Sequence, residues 1–384
     1  MKILLIGEYS RLHNSLKEGL LKLGHEVTII GDGDGFKNYP VDILLKNRYV
    51  KRPLNILRKI LYRLFKIDLK SISKEKQFNA YKNQLKGFDI VQLINERPFK
   101  TVPKTEKKLL NYIFENNKNV FLLSCGCDFP SVDYAMKKKF RYSILTPFFE
   151  GKVTRKEFDP ILLYLENNHR KTHDYLYKNI KGVISSDIDY HIPLLGNSKY
   201  LGLIPNPINI NRVSFKANNP QEKIIIFHGI NKANYYKKGN DFFEQALDII
   251  NIKYKDKVEI ISTTDIPYNN YIDIYNKAHI LLDMVYAYDQ GYNALEAMAK
   301  GKVVFTGAEQ EWLDYYGLEK NTVAINAEPN VDSIIKNLEW LINNPEQITI
   351  ISKNARQFIE EKHNYINIAQ DYITLWLKTT QIFK

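Results

Sequence analysis

Residues 2–30 read KILLIGEYSRLHNSLKEGLLKLGHEVTII, and the order of patterns within them decides the fold. Lys2 to Ile6 is a short apolar run of the kind that forms a strand buried on both faces, whereas Leu16, Leu20 and Leu23 recur at helical spacing over Asn14 to Leu23. Gly24 ends that helix, and Glu26 to Ile30 supplies a second strand. Strand, helix, strand is the unit from which parallel sheets are built. The alternation continues with strands at Asp89–Leu93, Val120–Leu123 and Gly182–Ser185, a helix near Glu106–Glu115 and a long helical stretch over Pro160–Ile180. One doubly wound α/β domain is therefore expected over residues 1–206. Ile204-Pro205-Asn206-Pro207-Ile208-Asn209 and the polar residues up to Gln221 cannot extend an element and read as a linker. Beyond it the pattern restarts. Strands at Lys223–Phe227, Val258–Ile261, Ile280–Asp283 and Lys302–Phe305 alternate with helices at Asn240–Ile250, Asn269–Ala278 and Asn293–Ala299, giving a second domain of the same class over 207–365. Ligands of open parallel sheets bind beyond the carboxyl ends of the strands, so two such domains face each other across a cleft.

The 384 residues are 44% apolar and 26% charged, which excludes a disordered or fibrous chain. Two cysteines, Cys125 and Cys127, make neither a disulfide scaffold nor a four-ligand zinc site, and they fit a reducing cytoplasm. The opening apolar run is too short for a signal peptide and is expected to be a strand. No run approaches the roughly 18–20 apolar residues of a membrane span. The formal charge of +12 attracts anionic partners, but heavy use of Lys, Asn, Ile and Tyr throughout, as an AT-rich coding sequence gives, explains it equally.

Two segments of the second domain carry chemistry. Phe227-His228-Gly229-Ile230-Asn231-Lys232 and Lys237-Lys238-Gly239-Asn240-Asp241 lie between its first strand and first helix, where glycines let a ligand approach and lysines offer point charges to a diphosphate. The plainer reading is a solvated lysine-rich loop. The stretch from Asp283 through Gly291-Tyr292-Asn293-Ala294-Leu295-Glu296-Ala297-Met298-Ala299 closes a strand loop on glycine and opens a helix. Glu296, set among small apolar residues, is costly there unless it binds something, such as two sugar hydroxyls.

In this order and separation the two segments resemble the donor half of GT-B glycosyltransferases of the retaining family 4 type. The match is strongest over residues 223–306. The first domain is similar in layout, with Gly7 after strand one and Leu23-Gly24-His25-Glu26-Val27 leading into strand two. The resemblance implies two Rossmann-like domains around a cleft, with a helix over 366–384 packing back on the first. It implies transfer of a sugar from a nucleotide diphosphate sugar to a hydroxyl of a carbohydrate or lipid-linked acceptor, with retention, without metal or cofactor, in polysaccharide or lipid-linked glycan assembly. Carried over residue by residue, Lys238 and Lys232 would hold the diphosphate and Glu296 the ribose, with His228, Gly229, Asn231, Gly239, Ile266, Gly291, Tyr292, Asn293 and Ala294 completing the donor site. Three places depart from the family pattern. Tyr288, with Asp289 beside it, stands where a sugar-contacting Glu is usual; Gly229-Ile230 replaces Gly-Arg; and Cys125-Gly126-Cys127-Asp128 replaces a histidine.

On the acceptor side Glu8, Ser10, His13, Asn14 and Asp128 are expected to face the cleft, against the plainer reading of loop and cap chemistry. Gly31-Asp32-Gly33-Asp34-Gly35 contains D-x-D, but it reads first as a glycine-rich turn rather than a metal site. His169 and His173 share a helix face without the Glu that H-E-x-x-H requires. Residues 46–70 combine Arg48, Lys51, Arg52, Arg58, Lys59, Arg63 and Lys66 with Ile56, Leu57, Ile60, Leu61, Leu64 and Phe65 at helical spacing. Such a helix either rests peripherally on an anionic leaflet or packs on its own sheet with a basic rim. Two rival functions stand beside the transferase. A nucleotide-sugar 2-epimerase of the same fold would turn over donor without acceptor, and a nucleic-acid binder would need a recognition module that the sequence lacks.

Overall fold

The computed structural model describes residues 1–51, 53–266 and 268–381. Arg52 lies outside them. Seven parallel strands, β1 (Lys2–Ile6), β2 (Glu26–Gly31), β3 (Ile43–Leu44), β4 (Ile90–Leu93), β5 (Val120–Ser124), β6 (Gly182–Ser185) and β7 (Tyr200–Leu203), form the first sheet in the order β3-β2-β1-β4-β5-β6-β7. A second parallel sheet has five, β8 (Ile224–Ile230), β9 (Val258–Thr264), β10 (Ile280–Leu282), β11 (Val303–Thr306) and β12 (Ile325–Asn326), in the order β12-β11-β10-β8-β9. Strand order reverses between β1 and β4 in one and between β8 and β10 in the other. The loops that follow β1, β8 and β10 are therefore the ones that open at a switch point.

The apolar runs of the central strands are buried on both faces because helices cover both sides. Ile3, Leu4, Leu5 and Ile6 are all fully buried, divided between two core clusters on opposite faces of the sheet. Strands β3, β7 and β12 are not evident in the sequence pattern: two are two residues long and the third, YLGL, contains glycine. The continuous helix expected over Pro160–Ile180 is instead broken. A helix at Arg155–Leu162 ends in a 3-10 turn at Leu163–Leu165, Glu166 is extended, and a new helix runs Asn167–Asn179. The break has a packing cause, since Phe158, Ile161, Leu162 and Tyr164 fill a small core with Val132 and Leu145, whereas Leu176 belongs to the main sheet core.

The chain crosses between the domains twice, side by side. In the outward linker Ile208 bridges to Asn364 in the return crossing, with Ile208 N–H donating to His363 O at 2.7 Å and Tyr365 N–H to Ile208 O at 3.2 Å. The helix Pro345–Lys362 stays on the second domain, where Ile348, Ile351 and Ile359 are buried. The helix Tyr365–Thr380 belongs to the first domain, against the helix Leu12–Lys22. Their approach is close enough that a Cβ on Gly19 would lie 2.1 Å from Tyr365 O, and Trp376, fully buried, donates from Nε1 to the buried Gln92 of β4 at 3.2 Å. The amphipathic segment holds the helix Leu54–Phe65, and, among the described residues, none of that helix is buried. The alternative of a helix packed on its own sheet does not hold. Leaving its leucines and isoleucines in water forgoes about 1.5–3 kcal/mol for each side chain that full burial would stabilise.

Candidate active site

The loop after β8 runs through a 3-10 turn at Lys232–Asn234 and a short helix at Tyr235–Lys238, and Gly239 then joins it to the helix Asn240–Lys253. Gly239 has φ +71°, and a Cβ there would sit 2.6 Å from Cβ of Val285. Glycine thus lets the basic loop lie against the loop after β10, and Val285 N–H donates to Lys238 O at 2.9 Å. Lys238 Nζ reaches Asp283 Oδ1 at 2.8 Å, and Asn293 Nδ2 donates to the same oxygen at 2.8 Å. Asp283, at the end of β10, therefore ties the lysine of one loop to the start of the helix Tyr292–Ala299. Two further hydrogens of the ammonium remain for a ligand.

Glu296 lies in the middle of that helix. Burial raises its carboxyl above the usual range, while Lys300 and, from the first domain, Arg11 and Lys37 draw it back. Among the described residues nothing hydrogen-bonds it. The side chain is only partly buried, so its oxygens remain open to a ligand presenting hydroxyls.

Between the domains is a cavity of about 280 Å³. The second domain contributes Asn234, Lys237, Lys238, Tyr286, Gln290 and Gly291, and the first contributes Gly126, Cys127, Ser131, Asp187, Asp189 and an apolar wall of Val132, Ala135, Phe140, Ile144 and Leu145. Asp187 and Asp189 follow β6 and meet Asp289 from across the cleft. Asp189 Oδ2 accepts from the N–H groups of Tyr288 at 3.0 Å and Asp289 at 3.1 Å, and Asp289 Oδ2 accepts from Ile188 N–H at 3.0 Å. Burial pushes Asp189 up to about 7 and Asp289 up to about 6, the facing Asp289 adding to the first.

A second set of contacts closes the same edge. Arg141 donates to Glu311 at 2.6 and 2.8 Å and to Glu309 at 2.7 Å, and its backbone N–H reaches Tyr288 Oη at 2.9 Å. Tyr142 Oη bonds Glu309, which also accepts from Asn326 Nδ2 at 2.6 Å. Arg141→Ala is expected to shift the protein toward an open cleft, seen as a larger radius of gyration in solution scattering. Superimposable curves would show instead that the apolar contacts of Phe140 and Tyr142 maintain closure.

This geometry coincides with what the chain is similar to. Residues 232–374 match the glycosyl transferase-like family, a span that includes Lys238, Asp283 and Glu296. The fold is that of the GT-B proteins. Its structure is similar to sucrose-phosphate synthase of Thermosynechococcus elongatus, at a TM-score of 0.62 and 15% identity over 99% of each chain. It is similar also to HepE of Anabaena in complex with UDP and glucose, at 0.57 and 12% identity over 97% of this chain and 98% of that one. A putative UDP-N-acetylglucosamine 2-epimerase of Listeria monocytogenes shares the architecture at 0.50 and 12% identity, over 100% and 97% of the two chains. No curated protein matches the sequence.

The GT-B cleft brings some of the sequence candidates together and leaves others aside. Lys238 and Gly291 line the cavity. Lys232 does not: it is exposed on the 3-10 turn, its N–H donating to Asp265 at 3.1 Å beside the Ile266 loop. His228 is fully buried with Nε2 2.8 Å from Asn240 Oδ1, and burial lowers its pKa, so it anchors the loop rather than meeting a ligand. A Cβ on Gly229 would collide with the Tyr271 ring at 2.6 Å, Asn231 caps the 3-10 turn, and Ala294 is core. Tyr292 donates to Pro207 O at 2.9 Å and Asn293 is engaged with Asp283, which leaves their backbone at the helix start as what they could present.

On the acceptor side His13 is fully buried, its Nδ1 2.8 Å from Gly7 O and its pKa lowered to about 3 by burial. Asp128 caps the helix Phe129–Met136 and bonds Ser124. Neither is free to touch an acceptor. Asn14 donates twice to Glu8, at 2.9 and 2.6 Å, and burial raises Glu8 to about 7 while Oε1 has no partner. Ser10 Oγ accepts from Lys37 at 2.8 Å. Asp32 pairs with Lys74 and Lys100 at 3.2 Å, and Asp34 with Lys37 and Lys100. The D-x-D carboxylates are thus engaged by lysines, and among the described residues no cluster of metal-ligating groups occurs. Asp187, Asp189 and Arg141 escaped the sequence reading, and Asp283 entered it without a role, although carboxylates just beyond strand ends were a usable signal for the three aspartates.

Proposed function

We propose that the protein transfers a sugar from a nucleoside diphosphate sugar to an acceptor hydroxyl, with retention, as an enzyme of the retaining family 4 type. The observation that carries this reading is that Lys238, lining the interdomain cavity, and Glu296, which feels Arg11 and Lys37 of the first domain, stand on the loop and helix that follow the two strands of one switch point. The ammonium and the start of the helix Tyr292–Ala299 would meet the diphosphate, and Glu296 the ribose, in line with HepE, a protein of the same fold crystallised with UDP and glucose. As the bond from the anomeric carbon to the diphosphate oxygen breaks, negative charge grows on the diphosphate and the lysine stabilises it where it develops. The bond to the acceptor oxygen forms on the same face, and the acceptor proton leaves with the diphosphate. Tyr288 is engaged by Arg141, so Asp289 or Asp187 would take the sugar-contacting place of the usual glutamate. The acceptor we propose is a glycan carried on lipid, with the enzyme resting on the cytoplasmic face of an anionic leaflet through the helix Leu54–Phe65, in polysaccharide or lipid-linked glycan assembly.

A panel of nucleoside diphosphate sugars, screened by thermal stabilisation and then by product analysis, tests the reading. A true donor at a hundred times its dissociation constant is expected to add about 2.7 kcal/mol, and turnover is expected to persist in EDTA because Asp32 and Asp34 are held by lysines. Conversion of a donor to its epimer with no acceptor present would assign the fold to an isomerase instead.

A further inference from the structure

A second concavity, of about 400 Å³, lies in the first domain beneath the exposed helix. Arg58 and Lys59 of the helix Leu54–Phe65 meet there with Lys70, Arg97, Lys100 and His169. Among the described lining residues Asp68 and Glu166 oppose them, with Arg58 Nε 4.0 Å from Asp68, and Lys100 is paired with Asp32 and Asp34 outside the lining. Several polar atoms in the pocket lack a partner. Arg97 Nε and both ring nitrogens of His169 are buried without a hydrogen bond, and the nearest carboxylate oxygen of Glu166 is 4.0 Å from His169 Nδ1. The positive charges also disfavour one another. Lys70 is lowered to about 8 by burial and then by Lys74 and Arg58, and His169 to about 4 by burial and then by Arg97. An anion with several oxygens would accept from Arg97 Nε and, by favouring the protonated imidazole of His169, from that ring as well, and would reverse the repulsion.

We infer that this pocket holds the phosphate group of a membrane lipid while the helix above it lies along the leaflet. The lipid is favoured over a free anion because the helix that lends Arg58, Lys59 and Tyr62 to the pocket carries exposed apolar residues outside it. Leu57, Ile60, Leu64 and Phe65 are 48–65% exposed on a helix whose charged residues, Arg58, Lys59 and Arg63, are all basic. A free phosphate explains the unpaired groups but leaves the apolar face uncovered, whereas a leaflet accounts for both on one helix. The inference deepens the leaflet attachment proposed above and rests on it.

Vesicles of phosphatidylcholine, of phosphatidylcholine with phosphatidic acid, and of phosphatidylcholine with oleate at matched surface charge separate the terms. The wild-type protein is expected to sediment with phosphatidic acid vesicles about tenfold more tightly than with oleate vesicles, the scale of one charge-assisted hydrogen bond. Arg97→Gln and, at the rim, Lys70→Gln should each erase that preference while keeping the oleate binding, and Arg58→Ser with Lys59→Ser and Arg63→Ser should weaken both. Equal wild-type binding to the two anionic vesicles, or a preference retained in both pocket variants, overturns the pocket and leaves leaflet attachment standing. Absence of wild-type binding to any anionic vesicle overturns the attachment itself. Calorimetric binding of inorganic pyrophosphate without vesicle binding would assign the pocket to a soluble phosphate and overturn the lipid source.

Discussion

Lys238→Ala is expected to weaken binding of a nucleoside diphosphate about ten- to a hundredfold while leaving nucleoside binding nearly unchanged. The lysine offers charge to phosphates and nothing to a base, and one charge-assisted hydrogen bond contributes about 1.5–3 kcal/mol. The structure adds a complication, because Lys238 also pairs with Asp283, which is only 4% exposed. Removing the ammonium leaves that carboxylate with Asn293 as its remaining side-chain donor, so the variant should also lose about 1–3 kcal/mol of stability. The double variant Lys238→Ala, Asp283→Asn separates the two effects. It should recover stability in a thermal melt without recovering diphosphate affinity. If titration calorimetry finds nucleoside and nucleoside diphosphate weakened alike, the lysine acts by holding the loop and the phosphate assignment fails.

What the sequence disclosed and what it withheld divide along a physical line. The central strands were legible because burial on both faces demands uninterrupted apolar runs such as KILLI and IIIF, and Gly239 because only glycine fits the turn against Val285. Lys238 and Glu296 could be proposed from the sequence because each follows one of the two strands that flank a single switch point. The first-domain wall of the cleft was not. Asp187, Asp189 and Arg141 are brought to Tyr288, Asp289 and Glu309 by domain packing, over separations of 99 residues and more that no local pattern reports. His13 and Asp128 differ for the complementary reason: they lie at the starts of the helices that follow β1 and β5, where a ligand group could belong, but folding turns each toward the backbone it must satisfy. The broken helix at Glu166 belongs with these, since two separate cores rather than any breaker residue divide it.

Glu296→Gln should move stability and function in opposite directions. The exchange keeps the shape of the side chain but removes a charge that burial disfavours, so the unliganded protein should be as stable as the wild type or more so at neutral pH. The sign follows from the raised carboxyl. With the folded value above the unfolded one, the contribution to stability is full below the unfolded pKa and is lost as pH rises through the folded one, a loss the amide cannot suffer. Donor affinity should fall about five- to tenfold, because two hydroxyls that would donate to a carboxylate then meet a neutral amide with a single accepting oxygen. Differential scanning calorimetry of free and donor-bound protein, read across pH 5 to about pH 8, over which buried carboxylates titrate, records both quantities. A variant that melts lower than wild type and binds donor as well would show that Glu296 steadies the helix against Lys300 and Arg11, and the ribose would have to be sought elsewhere in the cleft.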